Sequence, residues 1–179
     1  MSDIPKNSPV MQLRSDLRGV RARYDKLSRG DTASIRRCRS ADEIAVDGTY
    51  WRIAGPFSQR QGRLLPHLPH VVLHFPLAPQ IARETFSFGR FLGRQLGDSD
   101  GATLRFRRLL DSRDRDDLDH RLRGILRLAC ADKTPVDWGV LGTDILWFFS
   151  ENGTVRRRWA QEFYAPMTSR PNASPISNA

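Results

Sequence analysis

Lysine is almost missing from this chain: Lys6, Lys26 and Lys133 stand against 26 arginines. Cysteine is rarer still. Cys38 and Cys130 lie far apart, match no metal or redox spacing, and read as reduced, buried thiols of a cytosolic protein. No apolar run approaches the eighteen or so residues that a membrane span needs, and the opening MSDIPKNSPV lacks the apolar core of a secretory signal. A soluble, cytoplasmic protein without a membrane partner is expected. Strand-like alternation and internal repeats are both absent, which leaves helices as the building material. Glycines such as Gly30 and the Gly89–Gly93 pair lack a strand–loop–helix setting, so no nucleotide cradle is indicated.

What the chain has in abundance is positive charge, +9 over 179 residues with a pI near 10.7. A charge of that size favours a polyanionic partner, nucleic acid before membrane. Arginine dominance has a bland reading, the codon bias of a GC-rich genome, and a physical one: the planar guanidinium grips phosphate with two donors where an ammonium offers one point charge.

The helices announce themselves through caps and spacing. Ser8-Pro9 opens a helix over 9–27, whose stripe of Val10, Leu13, Leu17, Val20, Tyr24 and Leu27 recurs at threes and fours. Asp31 is placed to cap a short helix carrying Ile35, and Ser40-x-x-Glu43 is a capping box for another. Residues 47–63, with Gly48, Gly55, Pro56 and Gly62 among Tyr50, Trp51, Ile53 and Phe57, read as loop and turn with buried aromatics. Pro66 to Pro79 bracket one short helix, and Ser87 caps another through about Leu96. Helices follow at 102–110, after Asp114, after Asp137 and at 154–164, with inward faces led by Leu118, Leu122 and Ile125, by Trp138, Leu141 and Ile145, and by Val155, Trp159 and Phe163. The expectation is an all-α protein of two small helical bundles in series. Residues 1–97 form an N-terminal helical domain, 102–164 a C-terminal bundle, and 165–179 a disordered tail, with the boundary at Gly97-Asp98-Ser99-Asp100-Gly101.

A charged residue on a helix is usually only solvated, so the test for each arginine is whether an acid lies three or four positions away. Arg21 has Asp25, Arg121 has Asp117, Arg123 has Asp119, Arg158 has Glu162, and Arg107 and Arg108 share Asp111. Those are structural pairs of small individual worth. Others have no such neighbour. Arg36, Arg37 and Arg39 fall in an acid-free stretch, 32–41; Arg127 and the Arg156–Arg157 pair meet no carboxylate at helical spacing; and the interval 48–83 carries Arg52, Arg60, Arg63 and Arg83 without one acid. Uncompensated like charges cost stability unless an anion joins them, and backbone phosphates fit. Devices for reading bases are missing, so contact with backbone is expected.

Two constellations suggest catalysis or metal binding and are set aside. Asp111 to His120 is rich in carboxylates, which raises a metal nuclease using Asp116 or Asp117, but Asp114 caps a helix there, its first turn favours negative charge, and arginines intervene. His67, His70 and His74 share a helical face suited to zinc, yet no fourth ligand is close in sequence, and packing explains them better. No catalytic residue, metal or cofactor is expected.

Taken in order, several motifs resemble the CasB family, the small subunit of the type I-E CRISPR complex Cascade. They are Gly30 with Ile35-Arg36-Arg37, Ser40-Ala41-Asp42-Glu43, Tyr50-Trp51-Arg52 into Pro56-Phe57, Ser87-Phe88-Gly89-Arg90, Phe106 with Leu109-Leu110, Pro135-Val136-Asp137-Trp138, and the closing Arg-rich segment into Trp159, Glu162 and Phe163. The resemblance covers roughly 10–164; the run Pro66–Pro79 departs from it, so that helix is expected to be shorter, and the tail carries no family residues. It implies a non-catalytic helical protein, present as two copies beside other Cascade subunits, contacting guide RNA, target DNA and the displaced single strand. Carried over by position, it implies nucleic-acid contacts at Arg36, Arg37, Arg63, Arg113, Arg127, Arg156 and Arg157. Arg113 stands between Asp111 and Asp114, unlike the rest. A stand-alone helical DNA- or RNA-binding regulator remains the alternative.

Overall fold

Serine and aspartate side chains start eight of the ten helices among the described residues. The computed structural model describes residues 8–82, 85–97 and 99–165; the expected disordered tail from 166 onward and Arg83 lie outside them. Helix α1 (Pro9–Asp25) begins where Ser8 Oγ accepts from Met11 N. Ser28 does the same for α2 (Arg29–Arg37), so Asp31 sits inside the first turn and is not the cap expected of it. The extended backbone of Ser28 already places its hydroxyl over the free N–H groups. Ser40 starts α3 (Ala41–Val46), and Glu43 reaches back to the amide of Arg39 at 2.8 Å.

The segment read as loop is helical. Helix α4 (Gly48–Arg60) is capped by Asp47, which accepts from Thr49 N at 2.7 Å, and runs through Gly55 and Pro56. Glycine costs roughly 1 kcal/mol in a helix interior and proline about 3. Burial of Tyr50, Ile53, Ala54 and Phe57, spaced as one helical face against α1 and its neighbours, outweighs both. Trp51 is not buried with them; half its surface is exposed.

Prolines divide the next stretch. In place of one short helix there is a 3₁₀ turn over Gly62–His67, helix α5 (Leu68–Val72) and a second 3₁₀ turn over Phe75–Leu77. Pro69 and Pro76 occupy first turns, where a missing N–H is harmless. The remaining helices are α6 (Phe88–Leu96), α7 (Asp100–Leu110), α8 (Arg115–Ala129), α9 (Trp138–Trp147) and α10 (Thr154–Tyr164). The only pairing of extended chain among the described residues is an isolated bridge between Gln80 and Val136.

Helix α1 packs along α9, and α6 along α10, so residues from both sides of the Gly97–Gly101 segment share one buried cluster. Glycines permit this closeness: a Cβ on Gly89 would collide with the Trp159 carbonyl oxygen, and one on Gly139 would lie 2.7 Å from that of Arg14. Under α1 and α9, Phe75 meets both Tyr24 and Trp138 edge-on. Arg21 lies over those rings, donates to the Phe75 and Ala78 carbonyls at 2.8 and 2.6 Å, and thereby ties the second 3₁₀ turn to α1. Near α10, Trp159 packs on Phe88 and Phe148 and donates to buried Asp144 at 2.8 Å.

Candidate nucleic-acid interface

The second 3₁₀ turn is flanked by α2 and α8, and arginines from both helices meet over it. Arg36, Arg123 and Arg127 line one shallow cleft of about 220 Å³ with Leu73, Pro76 and Leu77, and no carboxylate lines it among the described residues. Two further clefts share its walls. Arg36 also borders a depression of about 310 Å³ with Tyr24, Thr32 and Lys133, although Asp25 stands at its edge. Arg127 also borders a groove of about 880 Å³ between α7 and α8, lined by Arg105, Arg108, Arg121 and the apolar Ile125 and Leu128, with Asp117, the partner of Arg121, as its one carboxylate among the described residues. A positive path therefore runs from Lys133 past Arg36 and Arg123 to Arg127 and onto α7.

Arg123 is the point on the path where burial and like charge meet. Burial, then the neighbouring Arg127, pull the Arg123 guanidinium below its ordinary pKa. Its Nη2 donates to the Cys38 carbonyl at 3.0 Å, while its Nε is buried without a partner. Burial raises the Tyr24 phenol, with Arg21 and Arg36 pulling the other way. Lys133 adopts a left-handed backbone, φ 56°, uncommon outside glycine. An anion placed in these clefts would offset the mutual repulsion of the guanidinium groups.

In sequence, Asp119 four positions before Arg123 marks that arginine as paired. In the structure Asp119 is taken by His70 and His74, at 2.6 and 3.1 Å, which leaves Arg123 to the cleft. Three other spacing pairs form as read, Arg21 with Asp25 at 2.7 Å, Arg121 with Asp117 at 2.5 Å and, more loosely, Arg158 with Glu162 at 3.9 Å, whereas among the described residues Asp111 makes no ion pair with Arg107 or Arg108. Arg158 has a stronger partner in Asp144. Two arginines of the acid-free interval are paired through space, Arg52 with Asp31 and Arg60 with Asp16.

Of the seven arginines singled out in the sequence, the structure brings Arg36 and Arg127 together. Arg37 is exposed at the end of α2, and Arg63 on the first 3₁₀ turn; neither lines the three connected clefts. Arg113 is exposed before α8, where its own amide donates to Asp117. Arg157 is exposed and donates to the Asn152 carbonyl at 2.6 Å. Arg156 turns inward, donating to the Ser112 carbonyl at 3.1 Å and lying over Phe148 and Phe149 at 4.7 and 4.9 Å from their ring centres. Spacing missed Arg105, Arg108 and Arg123. The signal available was the i, i+4 repeat of Arg123 and Arg127 on the side of α8 away from its apolar stripe.

Fold and site together define an all-helical protein with a basic face suited to a phosphate backbone. The chain belongs to the Cse2 family of CRISPR-associated proteins, also called CasB, whose model matches residues 31–164. Solved structures that share the fold include these three. A chain of Escherichia coli Cascade, crystallised bound to a PAM-containing double-stranded DNA target, superposes with a TM-score of 0.66 at 21% identity, covering 83% of this chain and 95% of its own. A Cse2-family protein from Thermus thermophilus gives 0.60 at 23% identity, covering 88% and 98%, and CasB from Thermobifida fusca 0.60 at 18%, covering 87% and 97%. No curated protein is a significant sequence match. Among the described residues no helix is long and apolar enough to cross a membrane.

Proposed function

We infer that this chain is the non-catalytic small subunit of a type I-E Cascade complex, where it holds nucleic-acid backbone and steadies the open R-loop. The observation that carries the reading is the convergence of Arg36, Arg123 and Arg127, from helices far apart in sequence, on one cleft without a carboxylate. Family membership and the fold shared with a chain of DNA-bound Cascade support the setting. Its partners there are guide RNA, target DNA, the displaced strand, other Cascade subunits and a second copy of itself.

Energetics assign such a subunit its task. Replacing a DNA duplex with an RNA–DNA hybrid is nearly balanced, so a few backbone contacts tip it. Arginines that meet phosphates without reading bases stabilise the open state equally on every target sequence.

Reconstituted complex carrying Arg36→Ala with Arg127→Ala is expected to shorten R-loop lifetime uniformly across targets. Salt dependence of single-strand binding should flatten by about 1.4 in log–log slope, roughly 0.7 for each lost contact. An R-loop lifetime equal to wild type at physiological salt overturns the reading, and sequence-selective binding of the free chain to duplex favours the stand-alone regulator.

A further inference from the structure

Two groups of side chains that look inert in sequence are brought face to face by the fold. His70 on α5 and His74 just beyond it meet Asp116 and Asp119 on the first two turns of α8. His70 Nδ1 lies 2.6 Å from Asp119 Oδ2, and His74 Nε2 lies 3.1 Å from Asp119 Oδ1. His70, Asp116 and Asp119 each present a ligand atom, all within 4.8 Å of one another.

Their surroundings suit a cation. In a chain with 26 arginines, neither Asp116 nor Asp119 forms an ion pair with arginine among the described residues. Arg115, beside them in sequence, points its guanidinium at the Ile145 and Leu146 carbonyls at the end of α9. Asp119 is nearly buried and His70 largely so, whereas Asp116 is exposed and gives a route from solvent. His74, fully buried, fixes the Asp119 carboxylate from behind, as outer-shell hydrogen bonds do in metal sites.

The donor set decides the class of ion. One imidazole nitrogen with two carboxylate oxygens suits divalent first-row metals better than calcium or magnesium, which prefer oxygen alone. Ligands at about 2.0–2.2 Å from zinc stand at most roughly 4.4 Å apart, so the exposed Asp116 has only a small distance to close while His70 and Asp119 part slightly from their 2.6 Å contact. Two carboxylates balance a dication. On entry the ion replaces the hydrogen bond between His70 and Asp119.

We propose that His70, Asp116 and Asp119 form a site for a divalent transition-metal ion, zinc by preference, which clamps α5 onto α8. Solvent water completes the coordination. The inference is independent of the nucleic-acid reading, because its test involves no nucleic acid.

Untagged full-length chain, stripped with chelator, is titrated with zinc in competition with a chromophoric chelator, and its thermal melting is followed with and without the ion. One equivalent should bind and raise the melting temperature. Asp116→Asn should bind at least tenfold more weakly while melting like wild type without metal, since its side chain is exposed. Cobalt should give a d–d absorption band in wild type that Asp116→Asn lacks. Absence of stoichiometric binding overturns the site, as does wild-type affinity in both Asp116→Asn and His70→Gln.

Discussion

Arg18 holds Asp137 with both prongs of its guanidinium, Nε to Oδ1 at 2.9 Å and Nη2 to Oδ2 at 2.6 Å, fastening α1 to the start of α9. The same carboxylate is fully buried and caps α9 by accepting from Gly139 N at 2.9 Å. Losing one member of a buried pair costs about 3–5 kcal/mol because the other charge is stranded. Asp137→Ala should therefore lower stability by about 3 kcal/mol, discounted because Arg18 retains some solvent, with Asp137→Asn falling between it and wild type. Urea unfolding checks the order.

Gly89 is held by contact, not by backbone angle. A methyl group there meets the Trp159 carbonyl and, at 2.8 Å, Glu162 Cβ, so Gly89→Ala should push α6 from α10 and cost about 1–3 kcal/mol. Gly124, exposed on α8 with nothing within 4 Å of where a methyl group would sit, is the control: Gly124→Ala should gain about 0.5–1 kcal/mol. Equal effects at both positions on the urea midpoint would contradict the packing argument.

Acid should weaken the fold in two stages. Burial holds the His74 pKa below its ordinary 6.5, against the hydrogen bond it donates to Asp119 and the charge of that carboxylate, with Arg123 and His70 adding to the lowering. Just below that value the unfolded chain binds a proton that the folded one refuses, so stability rises with pH across the window beneath 6.5. For Asp119, burial resists ionisation, yet the hydrogen bonds from His70 and His74 prevail and set its carboxyl below 3.8. Its contribution is present above 3.8 and is lost at lower pH, as the folded carboxyl takes its proton. In chelator, His74→Gln should flatten the upper stage alone; an unchanged profile of urea midpoint against pH would remove His74 from the account.

Both thiols should be silent in the native state. Burial pushes the Cys130 thiol up to about 11, and burial followed by Asp47 and Glu43 raises that of Cys38. Thiolate is the reactive form, so Ellman's reagent should label neither at neutral pH until denaturant is added. Rapid labelling of the folded chain would show that one of them is open to solvent.

Arg156 and Arg157 are adjacent but should behave as opposites. Arg156→Ala removes a carbonyl contact and two ring contacts and should destabilise the fold by about 1–3 kcal/mol. Arg157→Ala, at an exposed site, should stay within about 0.5 kcal/mol. Thermal melts of the two variants separate these outcomes.

Most helix boundaries were legible because they are local events: Ser8, Ser40, Ser87, Asp114 and Asp137 each satisfy free amides within a turn of their own position. Helix α4 was hidden because Gly55 and Pro56 speak against a helix locally, and only burial of Tyr50, Ile53 and Phe57 against neighbours answers them. Arginine pairing divides the same way. Arg21 and Arg121 found the acids one turn away, whereas Arg52 and Arg60 found acids 21 and 44 positions distant, which no spacing argument reaches.

By itself, then, the sequence determined an arginine-rich, all-helical chain with a surplus of positive charge, since helical period, capping chemistry and net charge are all properties of short stretches or of plain composition. Tertiary structure alone decided which charges remain available. Histidines from α5 and the turn beyond it claimed Asp119 and released Arg123 to stand with Arg36 and Arg127, because a carboxylate is neutralised by whatever donor the fold brings nearest in space.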